Sequence, residues 1–208
     1  MPRTVTRIGL AAVAALSAAG LILVYLRFEH DVAYAYGLVP LFDPSREANV
    51  PTWFSSALLL LSAGALVQVR GPDRRWWLLL AAVLVLASLD ETANLHELLS
   101  RQARRRFQPG FGQLWVLMLG PAALVFLAVC ARFMLRQEPA VRRSFGLGAA
   151  LFVGGALGVE VVEIVFERRQ SGALAVALTM LAQEVIELLG AVVLLRASLL
   201  RLTNLPPQ

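Results

Sequence analysis

The chain has 208 residues, of which 58% are hydrophobic and 16% are charged, and its mean hydropathy of +0.69 is too high for an ordinary soluble domain. This composition indicates an integral membrane protein. The net charge is +5, but all the basic residues are arginines in short clusters between apolar runs, where topology and anionic lipid headgroups explain them. We therefore expect the lipid bilayer as a partner and no nucleic acid.

The apolar runs predict an all-α fold, in which one domain over residues 1–208 forms an integral membrane bundle of six transmembrane helices. A spanning helix needs roughly 20 mostly apolar residues. The first run resembles a cleaved signal peptide, but it continues past the small residues near Ala18 to Tyr25, which favours a retained helix. The predicted spans cover about residues 8–27, 53–69, 76–98, 113–133, 145–166 and 173–195.

The longest connection before the third span is the segment 28–50, where acids are interspersed with tyrosines and prolines. This pattern is typical of an interfacial segment, so we expect an extracytoplasmic loop that covers the bundle. Asn49-Val50-Pro51 then opens the second span, because a proline is tolerated in the first turn of a helix.

Six spans place both termini on one side of the membrane. Eleven arginines lie in and beside the connections on that side and eight on the other. The positive-inside rule then predicts cytoplasmic termini in a bacterial inner membrane, although the cluster Arg101–Arg106 lies on the side that should be depleted.

Charged residues follow the third apolar run directly. No polar side chain occurs from Trp76 to Ala87, and then Asp90, Glu91, His96 and Glu97 arrive within ten residues. Ionisable groups at membrane depth usually face a bundle interior or a water-filled cavity and belong to a functional site.

The fifth and sixth spans carry further acids at comparable depth, Glu160 with Glu163 and Glu184 with Glu187. Each pair stands at i and i+3, so its members share one helix face. Counting ~1.5 Å per residue brings Asp90, Glu160, Glu184 and Glu187 to overlapping heights, and Glu163, His96 and Glu97 lie above them toward the outside. We therefore predict one polar pocket in the outer half of the bilayer.

Several carboxylates at close range cannot all ionise without compensation. They can bind a cation, share protons, or pair with arginine, as Glu97 could with Arg101. Carboxylates with one or two imidazoles suit Fe²⁺, Mn²⁺ or Ca²⁺ better than zinc or copper. The predicted ligands of such a divalent metal are Asp90, Glu91, His96, Glu97, Glu160, Glu163, Glu184 and Glu187.

Small residues recur every fourth position in the fifth span, at Gly146, Ala150, Gly154 and Gly158. Such a stripe lets another helix approach closely. It predicts helix packing within the chain, and the alternative is an interface in a homo-oligomer or a larger membrane complex.

The motifs Asn49-Val50-Pro51-Thr52-Trp53-Phe54-Ser55-Ser56 and Ser88-Leu89-Asp90-Glu91 with His96-Glu97, followed by Glu160, Glu184 and Glu187, resemble an uncharacterised family of bacterial multi-pass membrane proteins. This resemblance implies a single six-helix unit and no activity. Three functions remain open: a metal-binding protein, as an oxidoreductase or hydrolase of lipid-soluble substrates; a proton- or cation-coupled transporter or channel; and an accessory subunit.

Overall fold

A computed structural model describes residues 2–30, 38–43, 49–95, 98, 114–168 and 172–204, without the side chains of residues 38, 114–120, 122–123 and 157–168. Within these ranges the chain is all-helical and has no strand, which confirms that the fold is all-α. The helices are α1 (Pro2–Glu29), α2 (Leu38–Phe42), α3 (Val50–Val67), α4 (Arg74–Ala93), α5 (Leu114–Met134), α6 (Pro139–Arg168) and α7 (Ala173–Thr203).

Four of the described helices, α1, α3, α4 and α7, are long and apolar enough to cross a membrane. Their outer faces carry large hydrophobic side chains, such as Ile8 with 65% and Leu61 with 61% of the residue exposed. Serines are buried instead, and Ser62 and Ser198 are fully inaccessible. Apolar surfaces around a partly polar interior are typical of a protein in lipid.

Helix α7 occupies the centre of the described bundle. It packs against α1, α3 and α6, while α3 packs in addition against α4. The core residues Leu59, Leu66, Leu188 and Ala191 are 0–2% exposed. Side chains of α7 are therefore in a position to meet several other helices.

Glycines allow α6 and α7 to pack closely. A Cβ atom added to Gly190 would lie 2.5 Å from the backbone nitrogen of Phe152, and one added to Gly148 would lie 2.9 Å from Leu194. One added to Gly155 would lie 2.7 Å from the Cγ atom of Glu187. Later residues of α6 contact earlier residues of α7 by the same number of positions. The three contacts therefore define one antiparallel register between the two helices.

The predicted stripe of small residues does not make this contact. Gly146, Ala150 and Gly154 are exposed, and a Cβ atom at Gly146 or Gly154 would meet nothing within 4 Å among the described residues. The expectation that these residues pack within the chain is wrong, because α6 turns a different face to α7. Gly158 lies outside the residues whose side chains are described.

Helix α4 ends earlier than the predicted third span. Asn94 has the left-handed backbone conformation, with φ 52° and ψ 47°, and its N–H donates to the carbonyl of Asp90 at 2.8 Å. A left-handed residue is a common helix terminator, and asparagine tolerates it better than most side chains. The helix that carries Asp90 therefore ends at Ala93, before the predicted residues His96 and Glu97, which lie outside the described residues.

Candidate intramembrane polar site

The site is built around Asn49, which begins α3. Its side-chain oxygen accepts a hydrogen bond from the backbone N–H of Thr52 at 2.8 Å, and the Thr52 hydroxyl lies 3.0 Å from the N–H of Asn49. This capping box satisfies donors that the first helical turn leaves unpaired. Because the oxygen is used for the cap, the side-chain amide nitrogen is directed elsewhere.

That nitrogen joins two other parts of the chain. It donates to the Oε1 atom of Glu184 on α7 at 3.1 Å and to the backbone carbonyl of Asp43 at 3.2 Å. Asn49 is only 4% exposed. A buried amide that bonds three partners fixes the relative positions of the start of α3, the segment after α2, and α7.

Asp43 continues the network to the surface. Its Oδ2 atom lies 3.0 Å from Nη1 of Arg27 at the end of α1, and the aspartate is buried while the arginine is 44% exposed. The guanidinium also lies 5.6 Å from the centre of the Phe28 ring. A polar path thus runs from an exposed arginine through Asp43 and Asn49 to Glu184.

A crevice of about 10 Å³ opens beside Arg27 and Asp43, between α1, α2 and α7. Its volume is about that of one water molecule. Apolar side chains form the rest of its lining: Leu23, Val24, Phe28, Val39 and Ala177.

Glu187 lies one helical turn from Glu184 on α7. Its Oε1 atom accepts a hydrogen bond from Nε2 of Gln183 at 2.9 Å. The Cγ atom lies against Gly155, so the side chain begins in the contact between α6 and α7. The two glutamates are half-buried and belong to the same part of the bundle.

The helix registers bring the other predicted acids to nearby heights. On α6, the backbone of Glu160 is level with Ala182 of α7, by the register that pairs Gly155 with Glu187. On α4, the cation–π contact of Trp77 with Arg201 brings Asp90 level with Leu188. The side chains of Glu160 and Glu163 lie outside the described residues, as do His96 and Glu97 entirely.

The described acids do not by themselves complete a metal site. Among the side chains that the structure describes, no three from histidine, cysteine, aspartate and glutamate form a group that could hold a metal ion. Asp90 and Glu91 lie on α4, which packs against α3, whereas Glu184 and Glu187 lie on α7, on which α3 also packs. Each of these two pairs of acids therefore lies on a helix that packs against α3.

Hydroxyl groups join α3 and α4 where these two helices pack. The Oγ atoms of Ser56 and Ser88 lie 2.8 Å apart, and each hydroxyl is also within 3.0 Å of the other residue's backbone carbonyl. Ser88 lies two residues before Asp90. The pair therefore holds α4 against α3 close to the predicted acidic stretch.

Three residues of the observed network were not among the predicted site residues: Arg27, Asp43 and Asn49. Asn49 was recognised only as part of the motif that opens a span. Its signal was an asparagine three residues before a threonine at a helix start, which predicts a cap. The sequence does not show that the remaining amide donor reaches Glu184.

The sequence model of one protein family, described as domain of unknown function DUF8692, matches residues 9–202. The chain belongs to this family. The match covers α3 to α6 completely and leaves out only the first seven residues of α1 and the last residue of α7, so it contains the Asn49 network. Comparisons with curated proteins and with solved structures found no match. The family and its lack of an assigned activity agree with the resemblance drawn from the motifs.

Proposed function

We propose that this DUF8692 protein is a six-helix protein of the bacterial inner membrane, with both termini in the cytoplasm, that moves protons or cations through a polar site at Glu184. In this arrangement α5 and α6 are the remaining two spans. The site lies toward the end of the bundle where α1 finishes and α3 begins, which the orientation assigns to the outer half of the bilayer.

The observation that carries this proposal is the partner of Glu184. The carboxylate accepts from the neutral amide of Asn49, and no arginine pairs with it among the described residues. A carboxyl group at membrane depth without a cationic partner must hold a proton or a bound cation. A group that exchanges one for the other is the basic element of a coupled transporter.

The route from outside is the network itself. Arg27 is accessible, Asp43 and Asn49 are buried, and the crevice beside Arg27 and Asp43 has room for a water molecule. Breaking the Arg27–Asp43 pair would let water approach Asn49 and then Glu184. The ion pair therefore acts as the outer closure of the path.

The test is flux into liposomes that contain the purified protein. With a pH gradient and a fluorescent pH indicator inside the vesicles, the wild-type protein should speed the decay of the gradient. Glu184→Gln should reduce the rate to that of empty vesicles. Glu138→Gln removes a carboxylate at the other end of the bundle and should leave the rate unchanged. Wild-type rates no higher than those of empty vesicles, under proton and alkali-cation gradients, would refute the proposal.

A divalent metal centre is the second candidate, with oxidoreductase or hydrolase activity toward lipid-soluble substrates. The observation in its favour is the α6–α7 register, which places the backbone of Glu160 two residues, or ~3 Å of helix rise, from the height of Glu184. Iron, manganese and calcium fit carboxylate ligands. Elemental analysis of detergent-purified protein should then find metal, which Glu160→Gln and Glu184→Gln together remove; metal-free protein would eliminate this function.

The third candidate is a subunit of a homo-oligomer or a larger membrane complex. The outward-facing small residues Gly146, Ala150 and Gly154 favour it, because a second helix can pack closely on such a face. Mass measurement of the detergent-solubilised protein tests this candidate. A species larger than one chain should revert to the monomer in Gly154→Leu, and a monomeric wild type contradicts a homo-oligomer.

A further inference from the structure

The opposite end of the bundle is strongly basic. We call it the arginine end; it contains the start of α1, the α3–α4 and α5–α6 connections and the end of α7. Its arginines are Arg3, Arg7, Arg70, Arg74, Arg75, Arg132, Arg136, Arg142, Arg143, Arg196 and Arg201. Only two carboxylates accompany them, Asp73 and Glu138.

Neither carboxylate neutralises an arginine there. Glu138 accepts a hydrogen bond from Nδ2 of Asn204 at 2.7 Å, and Oδ2 of Asp73 lies 3.5 Å from Nε2 of Gln137. Among the residues that the structure describes, no arginine of this end forms an ion pair. The arginine end therefore presents guanidinium groups without internal counter-ions.

Arg201 differs from the exposed arginines around it. Its guanidinium carbon lies 5.3 Å from the centre of the Trp77 ring, and its Nε atom is buried without a hydrogen-bond partner in the described part of the chain. Trp77 is itself fully buried, and its Nε1 atom also has no described partner. These two atoms are closed to solvent, so the terminal Nη atoms of Arg201 are the donors that this side chain can offer to an external acceptor.

Aromatic packing fixes this arrangement. The Phe133 ring lies 4.9 Å from Trp77 in an edge-on orientation and 5.5 Å from Trp76 in a stacked one. The Phe145 ring lies 5.7 Å from Trp77. Helices α4, α5 and α6 thus hold the indole under the guanidinium of α7, and a preorganised guanidinium loses little freedom when it binds.

We propose that Arg201, positioned by Trp77, binds the phosphodiester headgroup of an anionic phospholipid. Guanidinium groups bind phosphate oxygens by paired, charge-assisted hydrogen bonds. The apolar outer faces of the helices place acyl chains next to this end, and the uncompensated arginines attract anionic lipid from the leaflet that the end faces. The chemistry of the ligand is thus a phosphodiester attached to an apolar tail.

The test measures thermal stabilisation of the full-length protein in detergent micelles doped with phosphatidylglycerol, with phosphatidylcholine as the neutral comparison. Wild-type protein should be stabilised by phosphatidylglycerol and not by phosphatidylcholine. In Arg201→Gln the lipid concentration for half-maximal stabilisation should rise about tenfold, as expected for the loss of charge-assisted hydrogen bonds. Arg70→Gln removes one exposed charge from the same end and should change this half-maximal lipid concentration less than about twofold.

Two further variants separate the site from general surface charge. Arg201→Lys keeps the charge but not the paired donors. Its lipid concentration for half-maximal stabilisation should therefore lie between those of Arg201→Gln and the wild type. Trp77→Phe keeps an aromatic ring but weakens the cation–π contact that positions the guanidinium, so it should also weaken the lipid effect. If Arg201→Gln does not fold, Arg201→Lys serves as the test variant. Stabilisation of Arg201→Lys by phosphatidylglycerol at the wild-type lipid concentration would then overturn the proposal.

Three results would overturn the proposal in the folded variants. They are an unchanged lipid response in Arg201→Gln, an equal loss in Arg70→Gln, and equal stabilisation of the wild type by inorganic phosphate alone. The last result would assign the site to a free anion. Because no transport is measured, these outcomes are independent of the function proposed for Glu184.

Discussion

Asn49 combines a helix cap and a contact with the candidate site in one side chain. Its oxygen caps α3, and its nitrogen reaches Glu184 and Asp43. The cap fixes the rotation of the amide, and the fixed amide then directs its donor at the carboxylate of α7. A local requirement of helix formation thus positions a group of the intramembrane site.

Replacing Asn49 should separate these two contacts. Asn49→Ala loses the cap, worth about 1 kcal/mol, and the bond to a carboxylate, so we expect a loss of about 2 kcal/mol or more in unfolding free energy. Asn49→Ser retains a capping oxygen but not the amide donor, and should lose about half as much. Denaturant unfolding in detergent measures both, and equal losses in Ala and Ser would contradict the separation.

At the scale of the helices, the contact between α6 and α7 depends on which glycine faces the partner. Gly190 lies against the backbone of Phe152, Gly155 lies against the side chain of Glu187, and Gly154 faces outward. Backbone cannot move aside as a flexible side chain can. The three positions therefore differ in how an added methyl group is accommodated.

Alanine substitutions should follow that order. Gly190→Ala should destabilise the protein most, by about 1–3 kcal/mol or more, since overpacking has no local relief. Gly155→Ala should cost less, because the side chain of Glu187 can shift. Gly154→Ala, the adjacent control, should be neutral or slightly stabilising, since alanine favours helix. Thermal unfolding in detergent ranks the three, and a large loss in Gly154→Ala would contradict the outward orientation.

Local sequence patterns predict the long helices, but not where a helix ends or which distant residues it contacts. Long apolar runs predicted α1, α3, α4 and α7, which are long and apolar enough to cross a membrane, because a helix pairs its own backbone groups where water is absent. The end of α4 was missed because Asn94 adopts a conformation that periodicity does not show. The sequence did not predict which glycines of α6 face α7, because the spacing of small residues does not show on which side of the helix a neighbour lies. Asn49 and Glu184 are 135 residues apart, so no local pattern connects them.

At the scale of the whole molecule, the two ends of the bundle have opposite character. The arginine end has eleven arginines and two carboxylates, whereas the side chains described toward the other end include one arginine, Arg27, and six carboxylates: Glu29, Asp43, Asp90, Glu91, Glu184 and Glu187. This asymmetry favours the arginine end in the cytoplasm, since anionic lipid and the positive-inside rule act on the same charges.

Cysteine labelling in intact cells tests this orientation. In a Cys130→Ser background, His30→Cys, at the exposed end of α1, should react with a membrane-impermeant maleimide added outside the cells. Arg136→Cys, exposed in the α5–α6 connection, should react only after the membrane is permeabilised. The reverse pattern would place the arginine end outside.

The glycine register also limits how the protein can move. Sliding α6 along α7 by even one residue would bring side chains into the spaces that Gly148, Gly155 and Gly190 now leave open. We therefore expect α6 and α7 to move as one rigid body in any conformational change. Under the proposed transport function, we expect the path to open between the hydroxyl-paired helices α3 and α4, or at the ion pair of Arg27 with Asp43, the residue after α2.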